Sequence, residues 1–424
     1  MTGHARAAER DSLPDVRSTT VWGRIWRPFW VLPLVIIVVA AVVGLLLPEA
    51  ERAITEHLPF VFEGGADGAR SMLGTIAGAM ISVTGLVFSI TMVVVQLASS
   101  QFTPRVLNDF LSSRVTQATL GIFTATFVYA LTVLRSVRGT SDTDSYVPQL
   151  SVTLAFVLVL ASVGMFLAYI HHITRSIQVS AIVSHLGAVT MDVVTRYFPA
   201  ADGPRPPEPD RPRPAAEPVR IDAVEHGVVA EISLRRLRDW ATEHDALVEV
   251  LIPIGQFVAE GMPVLRVWAP GTAREDVEPL RVSVVVEEDR GFHQDPALGI
   301  RKLVDIGERA LSPGINDPTT AVQVTDELHR ILRALVVRRD LTSVVAVEGT
   351  VRLVHRPQRI AELVALALDE LLHYGKDSPQ IPPRVLAMLR DLQTVALPEH
   401  AEALRGWERI ADDAARRLAR SPGG

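Results

Sequence analysis

Residues 71–104 read SMLGTIAGAMISVTGLVFSITMVVVQLASSQFTP, a run without one charged side chain. At the helical rise it is longer than the roughly 30 Å hydrocarbon core of a bilayer, so it predicts a tilted or projecting transmembrane helix. Phe29 to Leu47 is another charge-free run, about the length one crossing needs. Pro48-Glu49-Ala50-Glu51 follows it instead of a small-residue cleavage site, which argues against a removable leader. Apolar runs at 116–134 and 147–170 bring the total to about four spans.

Trp22, Trp26 and Trp30 recur every four residues ahead of the first span. They share one helical face, where amphipathic rings favour the headgroup zone. Arg17, Arg24 and Arg27 on the same side predict a cytoplasmic N-terminus, and four crossings return the C-terminus to the cytoplasm. The loop with Arg105 and Arg114 and the mostly acidic segment 49–70 agree with this orientation. Arg135 and Arg138 fall on the outer side, offset by Asp142 and Asp144. His171, His172 and Arg175 close the fourth span on the inner side. Adjacent residues point about 100° apart on a helix, so the two histidines cannot chelate one ion and read as membrane-edge anchors.

Within the second span, Ser71, Thr75, Gly78, Ser82, Gly85, Ser89, Gln96 and Ser100 share one helical face, with Thr84 and Thr91 opposite. Gly74 and Gly78 add a GxxxG pair beside this face. Small residues let helix backbones approach, and hydroxyls bond across an interface or back to their own carbonyls. The same face also suits a wet pore axis shared by several helices. Gly78, Ser82, Gly85, Ser89 and Gln96 are therefore the candidate pore or helix-packing stripe. No span carries an ionisable acid, lysine or arginine at its centre, which excludes proton relays and voltage sensors built on such groups.

The chain has 424 residues, of which 48% are hydrophobic, and a mean hydropathy of +0.25. The apolar excess lies in the first half. A net charge of −6 provides no basic field for phosphates, so nucleic acid is not an expected partner. Zero cysteines exclude disulfides, thiol nucleophiles, thiolate zinc and iron–sulfur sites; no metal or cofactor is expected. The fold class predicted is membrane α-helical with about four transmembrane helices, plus a cytoplasmic α+β region: a small β-rich module followed by a helical domain. The expected divisions are a transmembrane domain 1–178, a helical extension 179–198, a Pro-rich linker 199–218, the β-rich module 219–290 and the mainly helical domain 291–424.

Segment 199–218 is dense in Pro, Asp, Glu and Arg, a composition that forms no core. Beyond it, Val248 to Pro253 alternates in part, and Gly255 and Gly261 mark turns beside short strands. The spacing is similar in shape to the hairpins of lipoyl- and biotinyl-carrier domains. Those attach their group through a hairpin lysine, whereas the only lysines here are Lys302 and Lys376.

Asp295-Pro296 and Asp317-Pro318 share one device: an Asp N-cap followed by Pro at the first helical position, where a missing N–H costs nothing. Between these starts the pattern predicts a helix over 297–311. Ser312-Pro313-Gly314 then suits a type II turn with positive φ at Gly314. The segment reads as a helix-turn-helix corner. With Arg290, His293 and Gln294 just upstream, it also supplies a candidate ligand corner of His293, Asp295, Ser312, Asn316 and Asp317. A hairpin at 344–354 about Glu348-Gly349 and helices at 358–373, 383–393 and 399–420 complete the expectation.

The stretch Met80 to Arg114, with ISVTGLVFSIT at 81–91 and SSQFTPR at 99–105, and the run Asp305 to Thr320, centred on Leu311 to Pro318, together resemble the signatures of DUF2254, a bacterial family of predicted membrane proteins. His171-His172-Ile173 and Ser176-Ile177-Gln178 are similar to that family's exit from the fourth span. The resemblance covers nearly the whole chain. It implies the membrane topology, in a bacterial cell membrane, and no particular activity.

No Walker loop, dinucleotide glycine pattern, kinase set, HExxH or nucleophile elbow is present. Three functional classes follow. One is a homo-oligomeric channel or transport-like protein, lined by the second span and regulated by a cytoplasmic domain. Another is a membrane-anchored sensor or scaffold whose soluble half binds a ligand or protein. The third is a hydrolase using His293, Asp295 and Asp317.

Overall fold

The computed structural model describes residues 28–53, 62, 64–101, 113–138, 146–176, 178–201, 208–212, 214–271 and 276–420. Trp22, Trp26, Arg17, Arg24, Arg27, the tail 102–105, Asp142, Asp144, Ile177 and part of the linker lie outside these residues. The described residues divide into two compact units, one within 19–181 and the other within 182–424.

The first unit is built from α1 (Val31–Ala53), α2 (Ala66–Gln101), α3 (Arg114–Leu134) and α4 (Gln149–Ser176). All four are long and apolar enough to cross a membrane. α3 is the hub, packing against α1, α2 and α4, and it alone has half of its apolar window buried inside the protein. Gly121 explains the close approach of α1: a Cβ there would meet the Pro33 backbone at 3.1 Å and Ile36 at 2.9 Å. By contrast α1 turns Val38, Val39, Leu45 and Leu46 outward, the surface a bilayer would cover. At one end of the bundle, Glu51 receives the Leu150 N–H at 2.7 Å and the Ser151 N–H at 3.2 Å, a carboxylate seated on the positive end of α4. Beside it the Tyr146 hydroxyl donates to the Pro48 carbonyl at 2.7 Å.

The second unit begins with α5 (Val179–Tyr197). Strands β1 (Val219–Asp222), β2 (Gly227–Ile232), β3 (Leu247–Val250), β4 (Phe257–Val258), β5 (Pro263–Trp268) and β6 (Val284–Glu287) follow, with α6 (Leu234–Glu243) inserted after β2. Then come α7 (Pro296–Leu311), α8 (Pro318–Val336), the hairpin β7 (Val344–Val347) and β8 (Thr350–Val354), α9 (Ile360–Gly375), α10 (Ile381–Val395) and α11 (Ala401–Arg420). The hairpin turns on Glu348 and Gly349, at φ 52° and 84°, the paired positive values of a type I′ turn.

The strands of 219–288 do not close on themselves as a carrier-like module would. One sheet has the order β1-β5-β3-β8-β7 and the other β4-β2-β6. β8 comes from the later, helical part of the chain and pairs parallel with β3. The helix α6 was not legible as an element of a β-rich segment. Its Leu234, Leu237, Trp240 and Ala241 are buried with Val248, Val267 and Leu353 in one core.

α5 lies close on α7 and α8 through glycines. A Cβ at Gly187 would collide with the Glu327 carboxylate, and one at Gly299 with the Thr190 side chain. Glycine is used here for backbone approach, at the expense of its poor helix propensity. Gly299→Val is expected to lower the stability of the full-length protein by about 1–3 kcal/mol through overpacking. Gly314→Ala, with no atom within 4 Å of its Cβ, should change it little; thermal unfolding of both variants checks the contrast.

Candidate functional site

The stripe of α2 points away from α1, α3 and α4. Leu73, Ile76, Met80, Val87 and Val94 are buried on the inward face, while Gly78, Ser82, Gly85, Ser89 and Gln96 are all exposed. Nothing lies within 4 Å of a Cβ built on Gly74, Gly78 or Gly85. Among the described residues, these glycines therefore pack against no other helix of the first unit. The Ser82 and Ser89 hydroxyls donate to the carbonyls of Gly78 and Gly85, each at 2.9 Å. Opposite the stripe, the Thr91 hydroxyl donates to the Val87 carbonyl at 2.8 Å and meets the Tyr169 hydroxyl at 2.6 Å, which joins α2 to α4. His172 meets the Ser113 hydroxyl at 2.8 Å at the start of α3, and His171 is exposed.

The ligand corner does not assemble. His293 and Asp295 stand before α7, whereas Ser312, Asn316 and Asp317 stand after it, and 16 helical residues separate the two groups by about 24 Å. The same distance takes Asp317 away from His293 and Asp295, so the three cannot form one hydrolytic site. Ser312 to Asp317 forms the turn between α7 and α8. Asp317 caps α8, accepting the Thr320 N–H at 3.1 Å and its hydroxyl at 2.6 Å, and these bonds hold its carboxyl below the usual carboxylate range. The expected type II turn is corrected: Gly314 is not among the positive-φ residues, and Asn316 takes that conformation at φ 48°. The Ser312 carbonyl accepts the N–H groups of both Ile315 and Asn316. Asn tolerates the left-handed region because its short polar side chain bonds locally.

Asp295 is the polar centre of the second unit. It is 1% exposed and accepts from Arg290 Nε at 2.9 Å and Nη2 at 2.6 Å. It also accepts from Gln358 Nε2 at 2.9 Å and from the Leu298 N–H at 3.2 Å. Gly255, at φ +83°, passes so near that a Cβ would meet Arg290 at 2.6 Å and Asp295 at 2.8 Å. Beside this junction lies a crevice of about 560 Å³, counting its open mouth, walled by Phe198, Ile232, Val250, Ile252 and Leu341, with Gln294, His355 and Gln358 among its polar members. The Ile232 N–H donates to Gln294 Oε1 at 3.0 Å. Burial pulls the His355 imidazole down to about 4, with partial opposition from the Thr342 carbonyl and the Glu208 charge.

These residues were not predicted together. Tyr197, Ile232, Val250, Gln294 and Gln358 belong to five separate segments, and no local pattern announces their meeting. A further cluster, Asp340, Glu399 and His400, brings one ligand-type atom from each to within 4.8 Å. Its atoms already serve the fold: Asp340 accepts the Ile360 N–H at 2.7 Å, and His400 Nε2 bonds the Arg338 carbonyl at 2.9 Å. A nitrogen that donates to a carbonyl carries a proton and is not a metal ligand.

The family described as Predicted membrane protein (DUF2254) matches residues 26–391. The chain belongs to this family. Among its relatives are uncharacterized proteins of Mycobacterium tuberculosis strain H37Rv and of Mycobacterium bovis, each 30% identical over 318 residues. The matched region is 73% of this chain and 60% of each relative, so the chain spans about three fifths of their length. No solved structure matches.

Two outcomes follow from the geometry. Asp317→Ala should cost about 0.5–2 kcal/mol by loss of the cap, while Asn316→Gly should be close to neutral and Asn316→Val should cost roughly 1–2 kcal/mol; thermal unfolding distinguishes them. For His355 the unfolded imidazole takes up a proton below its ordinary value near 6.5, whereas the folded one does not until about 4. Stability is therefore lost as pH falls from about 6.5 towards 4, by roughly 2 kcal/mol at pH 5. His355→Gln should flatten that decline, measured as Tm against pH for both proteins.

Proposed function

We propose that this membrane protein is a homo-oligomeric channel or transport-like protein. In it the second spans of neighbouring copies gather about a common axis, and the soluble unit, on the cytoplasmic side, regulates passage. The observation that supports this reading is the outward direction of the α2 stripe, opposite a face that buries Leu73, Ile76, Met80, Val87 and Val94. In a lone copy the stripe would lie against lipid tails. There Gln96 would find no partner, and glycines would contribute little contact area. A facing copy, or a water-filled lumen between copies, removes both costs. Because Ser82 and Ser89 are already bonded to their own helix, the face accepts either a neighbouring backbone or water. α2 also has 36 residues, about 54 Å of helix, and so exceeds the bilayer core by several turns.

A second reading, a membrane-anchored sensor or scaffold, is favoured by the crevice beside Asp295. The two readings separate on assembly, since a monomer of four spans encloses no pore.

Cys introduced at Ser82, Ser89 or Gln96 is expected to react with small hydrophilic thiol reagents and to alter ion flux in reconstituted vesicles. The chain has no native Cys to interfere. Cys at Leu73 or Val87, buried against the other helices, should stay unreactive. Unreactive stripe positions in an assembled protein whose vesicles pass no ions would sink the channel reading. If Gly78→Leu and Gly85→Leu then disrupt assembly, the stripe is a contact between copies and the sensor reading stands in front.

A further inference from the structure

The segment 208–218 carries Pro at 209, 212, 214 and 218 and Arg at 211, and its described residues, 208–212 and 214–218, form neither helix nor strand. Proline brings no N–H to a ladder, so such a segment is held to a sheet by its carbonyls and side chains. Here it is seated on the five-stranded sheet at three points. Glu208 Oε1 accepts the Ser343 N–H at 2.7 Å and the Ser343 hydroxyl, just before β7. Arg211 forms an ion pair with Glu249 of β3. The Trp268 indole N–H, at the end of β5, donates to the Ala216 carbonyl at 2.9 Å.

The strand register puts the anchoring groups on one face. Val354, Glu249, Arg266 and Arg220 are partners across β8, β3, β5 and β1, so their side chains project to the same side, and Trp268 joins them two residues beyond Arg266. The adjacent row, with Leu353, Val248 and Val267, is buried with α6 in the core. From Glu208 to Arg211, three residues at the polyproline rise cover about 9 Å. That is about two strand spacings, the step from β7 across β8 to β3.

Glu249 is the electrostatic anchor. Its side chain is only 10% exposed, whereas Arg211 is 54% exposed, and the other cation, Arg266, stands at 3.6 Å. A carboxylate shielded to that degree calls for a cation, and Arg211 supplies the closer one. Residues 208–211 and 214–217 are themselves exposed, so the segment can leave without opening the core on the other face. An aromatic side chain beside an extended proline-rich chain is a recurring means of recognising such chains, and an acid adds selection for arginine. The geometry points to a binding face for an extended, proline-rich, arginine-bearing peptide, occupied in cis by residues 208–216, so that a partner segment of that chemistry binds by displacing the chain's own. A tethered segment competes at an effective concentration of about millimolar, which keeps the face mostly filled. This assignment does not depend on the pore reading.

The test is fluorescence anisotropy of a labelled peptide with the sequence of residues 206–218, titrated with the full-length protein in lipid nanodiscs, empty nanodiscs serving as the blank. In one variant residues 208–212 and 214–216 are replaced by Gly and Ser, which keeps the length of the connection. Saturable binding to that variant is expected, at least about tenfold tighter than to the unaltered protein. Glu249→Gln in the variant should weaken it about tenfold, as should Arg211→Ala in the peptide, and the two changes together should cost little more than either alone. If circular dichroism shows the Gly and Ser variant unfolded, Glu208→Ala with Arg211→Ala in the protein loosens the same segment and should tighten peptide binding about threefold over the unaltered protein. Absence of saturable binding to a folded variant, equal binding to variant and unaltered protein, or indifference to Glu249→Gln would each overturn the proposal.

Discussion

A polar group removed from water must find its partner inside the protein, and both units of this chain are organised around that requirement. In the helical unit the answer is local. The hydroxyls of Thr75, Ser82, Thr84, Ser89, Thr91, Thr126 and Ser162 each donate to the carbonyl four residues back. A hydroxyl satisfied in this way can face lipid, water or another helix at little further cost. The abundance of Ser and Thr in α2 therefore makes a stable span possible without deciding what the span faces.

In the soluble unit the answer is long-range. The Asp295 carboxylate gathers a guanidinium from five residues upstream, the amide of Gln358 from 63 residues downstream and a helical N–H. The loop at Gly255 passes over the pair in a conformation open to glycine. One buried charge thus holds together the strand segment, the start of α7 and the approach to α9. The parallel pairing of β3 with β8 ties the same segments a second time through backbone hydrogen bonds. The crevice exists because these pieces meet at their edges.

The two features with functional potential are of different kinds. The α2 stripe is a surface whose partner is supplied by another molecule. The sheet face at Glu249 and Trp268 is a surface whose partner, the segment 208–216, is supplied by the chain itself. Membership in a family of predicted membrane proteins agrees with the four spans.

Much of the architecture was legible in the chain. Four charge-free runs fix the number of membrane helices because the bilayer core has one thickness and an ionised side chain within it is expensive. Asp295-Pro296 and Asp317-Pro318 announced two helix starts, since capping is a matter of a few adjacent residues, and Glu348-Gly349 announced a hairpin for the same reason. What adjacent residues do not encode is pairing at a distance. The placement of β8 beside β3, the helix α6 inside a β-rich stretch, the left-handed turn at Asn316 in place of Gly314 and the meeting of Gln358 with Asp295 were decided by tertiary packing. The separation of the candidate ligand corner was decided there too, because a rigid helix of 16 residues holds its two ends apart however close their motifs stand in sequence. Helical periodicity placed Gly78, Ser82, Gly85, Ser89 and Gln96 on one face; only the packed bundle, by burying the opposite face, turned that face outward.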